Sequence, residues 1–431
     1  MNRNFLNTVG KVLVMKFGSI HHIIRMHNNP SKQFSSLNLV EGSFFMPKKY
    51  ILIPYGKINL ICFTNKERTD MPAIVSIAEA HPPFKLGQNE VMDFARNLFS
   101  QSFKDIERLL KVFQSGQIEK RHFAKDLKWF EADKSFEEKN DAYIKSAVEL
   151  GSAAVKNCLH SQTFLKENIN YDEIDAIFTI SSTGIATPSI DARIMNILPF
   201  SPHTKRIPIW GLGCAGGASG LARAYEYCLA FPKAKVLVLT FEFCSLTFQR
   251  NDHSKSNLIG ASLFADGVAC ALMVGDEVDR STFQKVSAVP KVISTHSTTL
   301  KDSIDVMGWQ VKNEGLYVIF SKDIPTILET ELKPAVFHFL SNHHLHMDDI
   351  RHFIAHPGGK KVLDAYEKSL SISTEKTQVS RDVLRQFGNM SSVTIIYVLK
   401  RFMEKGNLGD VGLATALGPG FSSELLLLRW I

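Results

Sequence analysis

Apolar positions along this chain alternate between two periods. Ala73-Ile-Val-Ser-Ile-Ala78, Ile174–Ile180, Arg206–Trp210, Val236–Thr240 and Gly267–Gly275 are short and almost wholly apolar. That is the pattern of strands buried on both faces. Between them the spacing becomes helical. Val91, Phe94, Ala95 and Leu98 share one face of a predicted helix over Glu90–Leu110. Phe136–Leu159 predicts a second helix. A third starts at Gly217, carries Leu221, Tyr225, Cys228 and Leu229 on one face, and is ended by Pro232. Strands alternating with helices predict an α/β fold.

Lys285–Leu300 turns β-like, and a second α/β series follows. It comprises a helix over Ile324–Leu340, a strand at His352–Ala355, a helix over Ser392–Lys405, and strands at Val411–Ala416 and Glu424–Trp430. The expected organisation is two α/β halves, 71–290 and 291–431. No repetition between them is visible in the sequence itself.

The richest stretch is Trp210-Gly-Leu-Gly-Cys-Ala-Gly-Gly-Ala-Ser-Gly220, between a predicted strand and a predicted helix. Glycines permit a sharp turn and close approach of a ligand. A helix N-terminus offers unpaired N–H groups and partial positive charge, which favours a thiolate at Cys214. The stretch therefore reads as a presented nucleophile. It also reads as a dinucleotide fingerprint: Gly211, Gly213 and Gly216 form G-x-G-x-x-G, and Glu242 ends the next strand. A buried core thiol is a third reading. On this stretch alone the first two are level.

Composition narrows the field. The chain has 431 residues, 45% hydrophobic and 22% charged, enough for two large domains or one duplicated one. Its net charge of +7 resides in residues 1–70, with ten Lys/Arg and three acids. The remainder is balanced, which excludes a bulk electrostatic case for nucleic acid. Residues 1–70 are expected to be a basic extension, disordered or translated upstream of the true start. Six cysteines include no C-x-x-C pair, so neither a zinc site nor a disulfide framework is indicated. No run of 18 apolar residues exists, so no membrane span is expected, and a cytoplasmic location fits.

The second half discriminates between the two readings of the glycine-rich stretch. His356-Pro-Gly-Gly-Lys-Lys361 follows a predicted strand, a setting that none of the other fourteen histidines has. Gly388-Asn-Met-Ser-Ser392 precedes an apolar helix, and Asn389 by itself reads first as a helix N-cap. Ala416-Leu-Gly-Pro-Gly420 is a third glycine-rich turn. Cys214, His356 and Asn389 each lie at a glycine-marked strand-to-helix junction, and in α/β cores such junctions gather at one end of the strands. A dinucleotide site explains none of the second-half residues, whereas a Cys-His-Asn site uses all three.

On Gly-Cys214-Ala-Gly-Gly, Leu263-Phe264-Ala-Asp-Gly267, His356-Pro-Gly-Gly, Gly388-Asn389-Met-Ser-Ser and Gly418-Pro-Gly420-Phe, residues 71–431 resemble the type III polyketide synthases. This is the chalcone-synthase-like family of thiolase fold, and the chain looks most like its bacterial alkylpyrone branch. The resemblance implies duplicated α/β halves in a layered α-β-α-β-α core and acyltransferase chemistry on acyl-CoA and malonyl-CoA. These thioesters are substrates, and no cofactor or metal is implied. It implies that Cys214 takes the starter acyl group, that His356 holds Cys214 as thiolate, and that His356 and Asn389 donate to the malonyl thioester oxygen. Phe264 matches a gatekeeper phenylalanine, and Val318 stands at the second gatekeeper position. Thr183 and Cys244 match positions lining an acyl tunnel in long-chain members. Thr187 matches a residue inserted into a partner subunit, which implies a homodimer. Lys360 and Lys361 are candidates for the CoA phosphates. The nearest alternative is a ketoacyl-ACP synthase III; a NAD-dependent oxidoreductase and a non-catalytic thiolase-fold partner are the others.

Overall fold

The computed structural model describes residues 71–100, 103, 105–320 and 327–431, together with the backbone of four strands between 11 and 63. Those four form two antiparallel hairpins, Lys11–Phe17 with Ile20–Met26 and Tyr50–Tyr55 with Ile58–Phe63, in a unit separate from 70–431. The rest of residues 1–70, and with it the reading of that stretch as a disordered or upstream extension, lies outside the described residues.

Nine strands of the 70–431 unit form one mixed sheet. Its order is His352–Ala355, Val411–Gly418, Ser422–Trp430, Pro290–Thr299, Ala73–Ala80, Asp266–Val274, Lys235–Phe243, Ala176–Ser181, Lys205–Trp210. The duplication missing from the sequence is present in this pairing. In the first half Ala73–Ala80 runs antiparallel to Asp266–Val274, which runs antiparallel to Lys235–Phe243, which runs parallel to Ala176–Ser181. In the second half Pro290–Thr299, Ser422–Trp430, Val411–Gly418 and His352–Ala355 repeat that series of directions. The halves meet where Lys291 pairs with Ala73. Parallel neighbours require a crossover, and these crossovers supply the helices.

Two helices form the middle layer. Gly216–Ala230 touches Ala176–Ser181 and Lys235–Phe243 of the first half and Val411–Gly418 and Ser422–Trp430 of the second. Thr394–Met403 likewise touches Ala73–Ala80 and Asp266–Val274 on one side and His352–Ala355 on the other. A helix between two sheets must be apolar all round. Ile395 through Leu399 are indeed consecutive and buried. The long helix Phe136–Leu159 covers the first half from outside. A capping box starts it: Glu138 N–H donates to Ser135 Oγ at 3.1 Å, and Ser135 N–H to Glu138 Oε2 at 2.9 Å. Such a cap contributes about 1 kcal/mol. Ala147, Gly151 and Ala154 on its buried face let it approach the strands closely.

Two predicted helices differ from expectation. Glu90–Leu110 is two helices, Gln88–Phe99 and Ile106–Ser115. The Asp105 side chain accepts from Arg108 N–H and starts the second, so a local cap outweighs a continuous apolar period. In place of Ile324–Leu340, a π-helical turn at Leu328–Leu332 leads into Lys333–Ser341. Residues 324–326 lie outside the described residues.

Candidate active site

Cys214 comes from one crossover, and His356 and Asn389 from another, the connection between the parallel strands His352–Ala355 and Val411–Gly418. Cys214 sits in a 3-10 turn, Gly213–Ala215, between the strand Lys205–Trp210 and the helix Gly216–Ala230. Gly213 makes this turn possible: its φ is +47°, and a Cβ there would lie 2.7 Å from Pro419 Cδ. Gly213 N–H donates to Ser182 Oγ at 2.9 Å, which anchors the turn to the end of the neighbouring strand.

His356 follows the strand His352–Ala355, and its N–H continues the ladder to Thr415 O at 2.9 Å. It is buried, and neither ring nitrogen has a hydrogen-bond partner in the structure. With neither nitrogen tied to another protein group, the ring can donate to or accept from a bound substrate. The ring lies beside Gly358, whose carbonyl accepts from Asn389 Nδ2 at 3.0 Å.

Asn389 is held on four sides. Its N–H donates to Leu263 O and its carbonyl accepts from Ala265 N–H, both at 2.9 Å. Its Oδ1 accepts from Ser391 N–H at 2.8 Å and its Nδ2 donates to Gly358 O. The amide faces Cys214, with Sγ 3.9 Å from Oδ1 and 4.0 Å from Nδ2. The reading of Asn389 as a plain helix N-cap does not hold. The helix starts at Thr394, and Asn389 lies five residues before it.

The electrostatics correct the expectation of a favoured thiolate. Cys214 keeps some solvent contact, yet burial of its surroundings pushes the thiol up to about 11, with the Glu242 carboxylate adding to the rise. Burial pushes His356 down to about 3. Taken one at a time, both groups rest neutral. Desolvation disfavours both charged forms, so a thiolate requires transfer of its proton to His356.

Glu242, the acid that completes the dinucleotide pattern, has another role in the structure. It is fully buried inside its strand. Its Oε2 accepts from Ser182 N–H at 3.0 Å and Thr183 Oγ1 at 2.8 Å, and its Oε1 accepts from Ser392 Oγ at 2.7 Å. Burial raises it to about 7 against those donors. It ties the Cys214 side of the site to the Asn389 loop and leaves no oxygen for a nucleotide. A charged residue inside the apolar run 236–243 was the available signal for this role.

The substrate-contact candidates divide. Cys244, Phe264 and Val318 line one apolar cavity, walled by Phe94, Phe99, Phe123, Phe130 and Phe248. Val318 lies beside Phe264, since a Cβ on Gly260 would touch both. Phe320, on the same face of the hairpin strand Gly315–Phe320 as Val318, and Trp309 pack tilted against Phe264 with centroids 5.7 and 5.8 Å away. Sequence reasoning missed both rings. Thr183 does not line this cavity; its hydroxyl is engaged by Glu242 and by Phe243 N–H at 2.9 Å. Thr187 is exposed next to a cis Thr187–Pro188 bond. Lys360 pairs with Asp364 at 2.6 Å, and Lys361 is exposed on the same helix. Among the described residues no group of three metal-ligating side chains forms, and no helix is long and apolar enough to cross a membrane.

Comparison with known proteins bears on this geometry. Residues 63–277 match the family model for chalcone and stilbene synthases, N-terminal domain, and residues 291–431 match the model for the C-terminal domain. A putative chalcone synthase of Bacillus subtilis (strain 168) is 53% identical over 362 residues, covering 84% of this chain and 99% of the relative. An alpha-pyrone synthesis polyketide synthase-like protein, Pks18, of Mycobacterium tuberculosis (strain H37Rv) is 29% identical, over 83% of this chain and 91% of its own length. The crystal structure of 1,3,6,8-tetrahydroxynaphthalene synthase from Streptomyces coelicolor A3(2), a bacterial type III polyketide synthase, superposes with a TM-score of 0.76 at 26% identity. It covers 83% of this chain and 99% of that one.

Proposed function

The chain belongs to the chalcone and stilbene synthase family, a type III polyketide synthase of the acyltransferase class, and from that premise we propose that it extends a long-chain acyl-CoA starter with malonyl-CoA to give alkylpyrones. The observation that supports the starter class is the apolar lining of the cavity at Cys244, Phe264 and Val318. Its walls offer rings and small side chains and few hydrogen-bond donors, which suits an alkyl chain. The relative named for alpha-pyrone synthesis supports the product class.

In this reading, His356 takes the proton of Cys214 as the sulfur attacks the starter thioester. The C–S bond to coenzyme A breaks, coenzyme A leaves as the thiol with the proton returned by His356, and the acyl group stays on Cys214. Malonyl-CoA then enters. Loss of carbon dioxide leaves an enolate, whose oxygen takes hydrogen bonds from Asn389 Nδ2 and the N–H of the neutral His356 ring. The two unpartnered ring nitrogens and the amide 4.0 Å from the sulfur support these roles. Aimed donors act where charge develops and need no reorganisation. The enolate carbon attacks the Cys214 thioester, the C–S bond to Cys214 breaks and releases its sulfur as thiolate, and the chain, now on coenzyme A, is longer by two carbons. Lys360 and Lys361 remain candidates for the CoA phosphates.

The working form in this reading is a homodimer. Lys205–Trp210 is the edge strand of the nine-stranded sheet, with exposed Trp210 and Ile185 beside it. An uncovered apolar edge is a surface that a second copy can bury. Incubating the protein with malonyl-CoA and acyl-CoAs of graded length, with mass spectrometry of the products, tests the function. Pyrones from long starters are expected; turnover confined to short starters overturns the long-chain assignment.

A further inference from the structure

We propose that Arg121 is a positioning residue for the condensation reaction, setting the places of Phe264 and Asn389 together; this rests on the polyketide-synthase reading above. Arg121 is fully buried in the strand Lys120–Phe123. Its Nη1 donates to Ala261 O and Phe264 O, each at 2.7 Å. These carbonyls close the C-terminal end of the helix Lys255–Leu263, where a cation is favoured. One nitrogen thus fixes the turn that carries Phe264 into the cavity.

The same turn holds Asn389. Leu263 O accepts from Asn389 N–H and Ala265 N–H donates to Asn389 O, so residues 263–265 and 389 form a short parallel bridge. The Arg121 stem also lies under the preceding residue. Gly388 has a φ of +73°, and a Cβ there would sit 2.8 Å from Arg121 Cδ and Cγ. Arg121 therefore touches the Asn389 loop from below and holds its bridging partner from the side.

A buried guanidinium is an expensive way to fill space. Burial lowers Arg121 to about 9, so it remains a cation at neutral pH, with Asp266 favouring the charge. Asp266 in turn accepts from Ala124 N–H, Ser245 N–H and Ser245 Oγ, and Ser245 lines the same cavity. An apolar side chain of the same length would pack here, but it would not hold two carbonyls.

The test compares Arg121→Met and Arg121→Lys with wild type in two half-reactions, acyl loading of Cys214 and decarboxylation of malonyl-CoA, beside thermal melting. Arg121→Met should load within about threefold of wild type, while decarboxylation falls on the order of 100-fold through misplacement of Asn389. Arg121→Lys, which keeps the charge, should recover roughly tenfold of that loss. Equal losses in both half-reactions, or losses that track the folded fraction, overturn the proposal and leave Arg121 as structure alone. If Arg121→Met does not fold, Arg121→Lys decides: unchanged decarboxylation or a parallel loss of loading overturns the proposal. A wild-type protein inactive with both thioesters overturns instead the polyketide-synthase reading on which it rests.

Discussion

Gly217 lies against Ser392 so closely that a Cβ on Gly217 would come within 2.1 Å of the Ser392 carbonyl oxygen. The contact joins the helix behind Cys214 to the loop that carries Asn389, across the two halves of the fold. Backbone atoms on both sides leave no side chain to yield. Gly217→Ala should therefore push the Asn389 loop away from the nucleophile and destabilise the protein by about 1–3 kcal/mol. Chemical denaturation and malonyl-CoA decarboxylation, measured on the same preparation, check both effects; unchanged decarboxylation would show that the spacing is not critical.

Asn389 divides the chemistry. Starter transfer needs the Cys214 sulfur and a base, whereas decarboxylation needs donors for an enolate. Asn389→Ala should fold and load acyl groups, yet lose decarboxylation on the order of 100-fold or more. Intact-protein mass spectrometry reads the loading, and release of carbon dioxide reads the second step. Near-wild-type decarboxylation would sink this role for Asn389. Cys214→Ala should abolish loading altogether; label retained at Cys244 would move the nucleophile.

The resting charge state of the site is testable through pH. Cys214 is raised to about 11 and His356 lowered to about 3, each by burial first. Alkylation of the resting protein by iodoacetamide should then climb about tenfold per pH unit from neutrality, without levelling off below about pH 9. A flat profile would mean that a thiolate–imidazolium pair already exists before substrate enters.

Glu242 makes stability pH-dependent in a direction opposite to that of most carboxylates. Its folded value, about 7, lies above its ordinary value of 4.5. Between those values the unfolded chain releases a proton that the folded protein keeps. Stability is complete below the ordinary value and falls as pH rises through the folded one, by on the order of 3 kcal/mol. Asp266, raised to about 6 by burial, acts in the same sense. Denaturant titrations from pH 4 to 8 should show the fall, and Glu242→Gln should flatten it; an unchanged slope in that variant would assign the effect elsewhere.

Val318 stands beside Phe264 in the wall of the apolar cavity. Val318→Phe should narrow it, lowering turnover of long acyl-CoAs roughly tenfold relative to short ones while loading of short starters persists. Competition between two starters of different length in one tube gives the ratio directly. An unchanged ratio would place the alkyl chain outside this cavity.

The sequence by itself determined what repeats locally. Runs such as Val236–Thr240 and helices such as Phe136–Leu159 are legible because period and capping are properties of neighbouring residues. Cys214, His356 and Asn389 stood out for the same reason, each beside glycines at a junction. Only the tertiary structure decided what depends on residues distant in the chain. The second-half motifs already weighed against a dinucleotide at the G-x-G-x-x-G stretch, but what Glu242 does instead shows only in its buried partners, 59 to 150 residues away. The helix position of Cys214 suggested a low thiol pKa, but burial, invisible to local pattern, reversed its sign. Arg121 carries no local signal, because its burial and the carbonyls it holds, 140 and 143 residues ahead, exist only once the chain has folded.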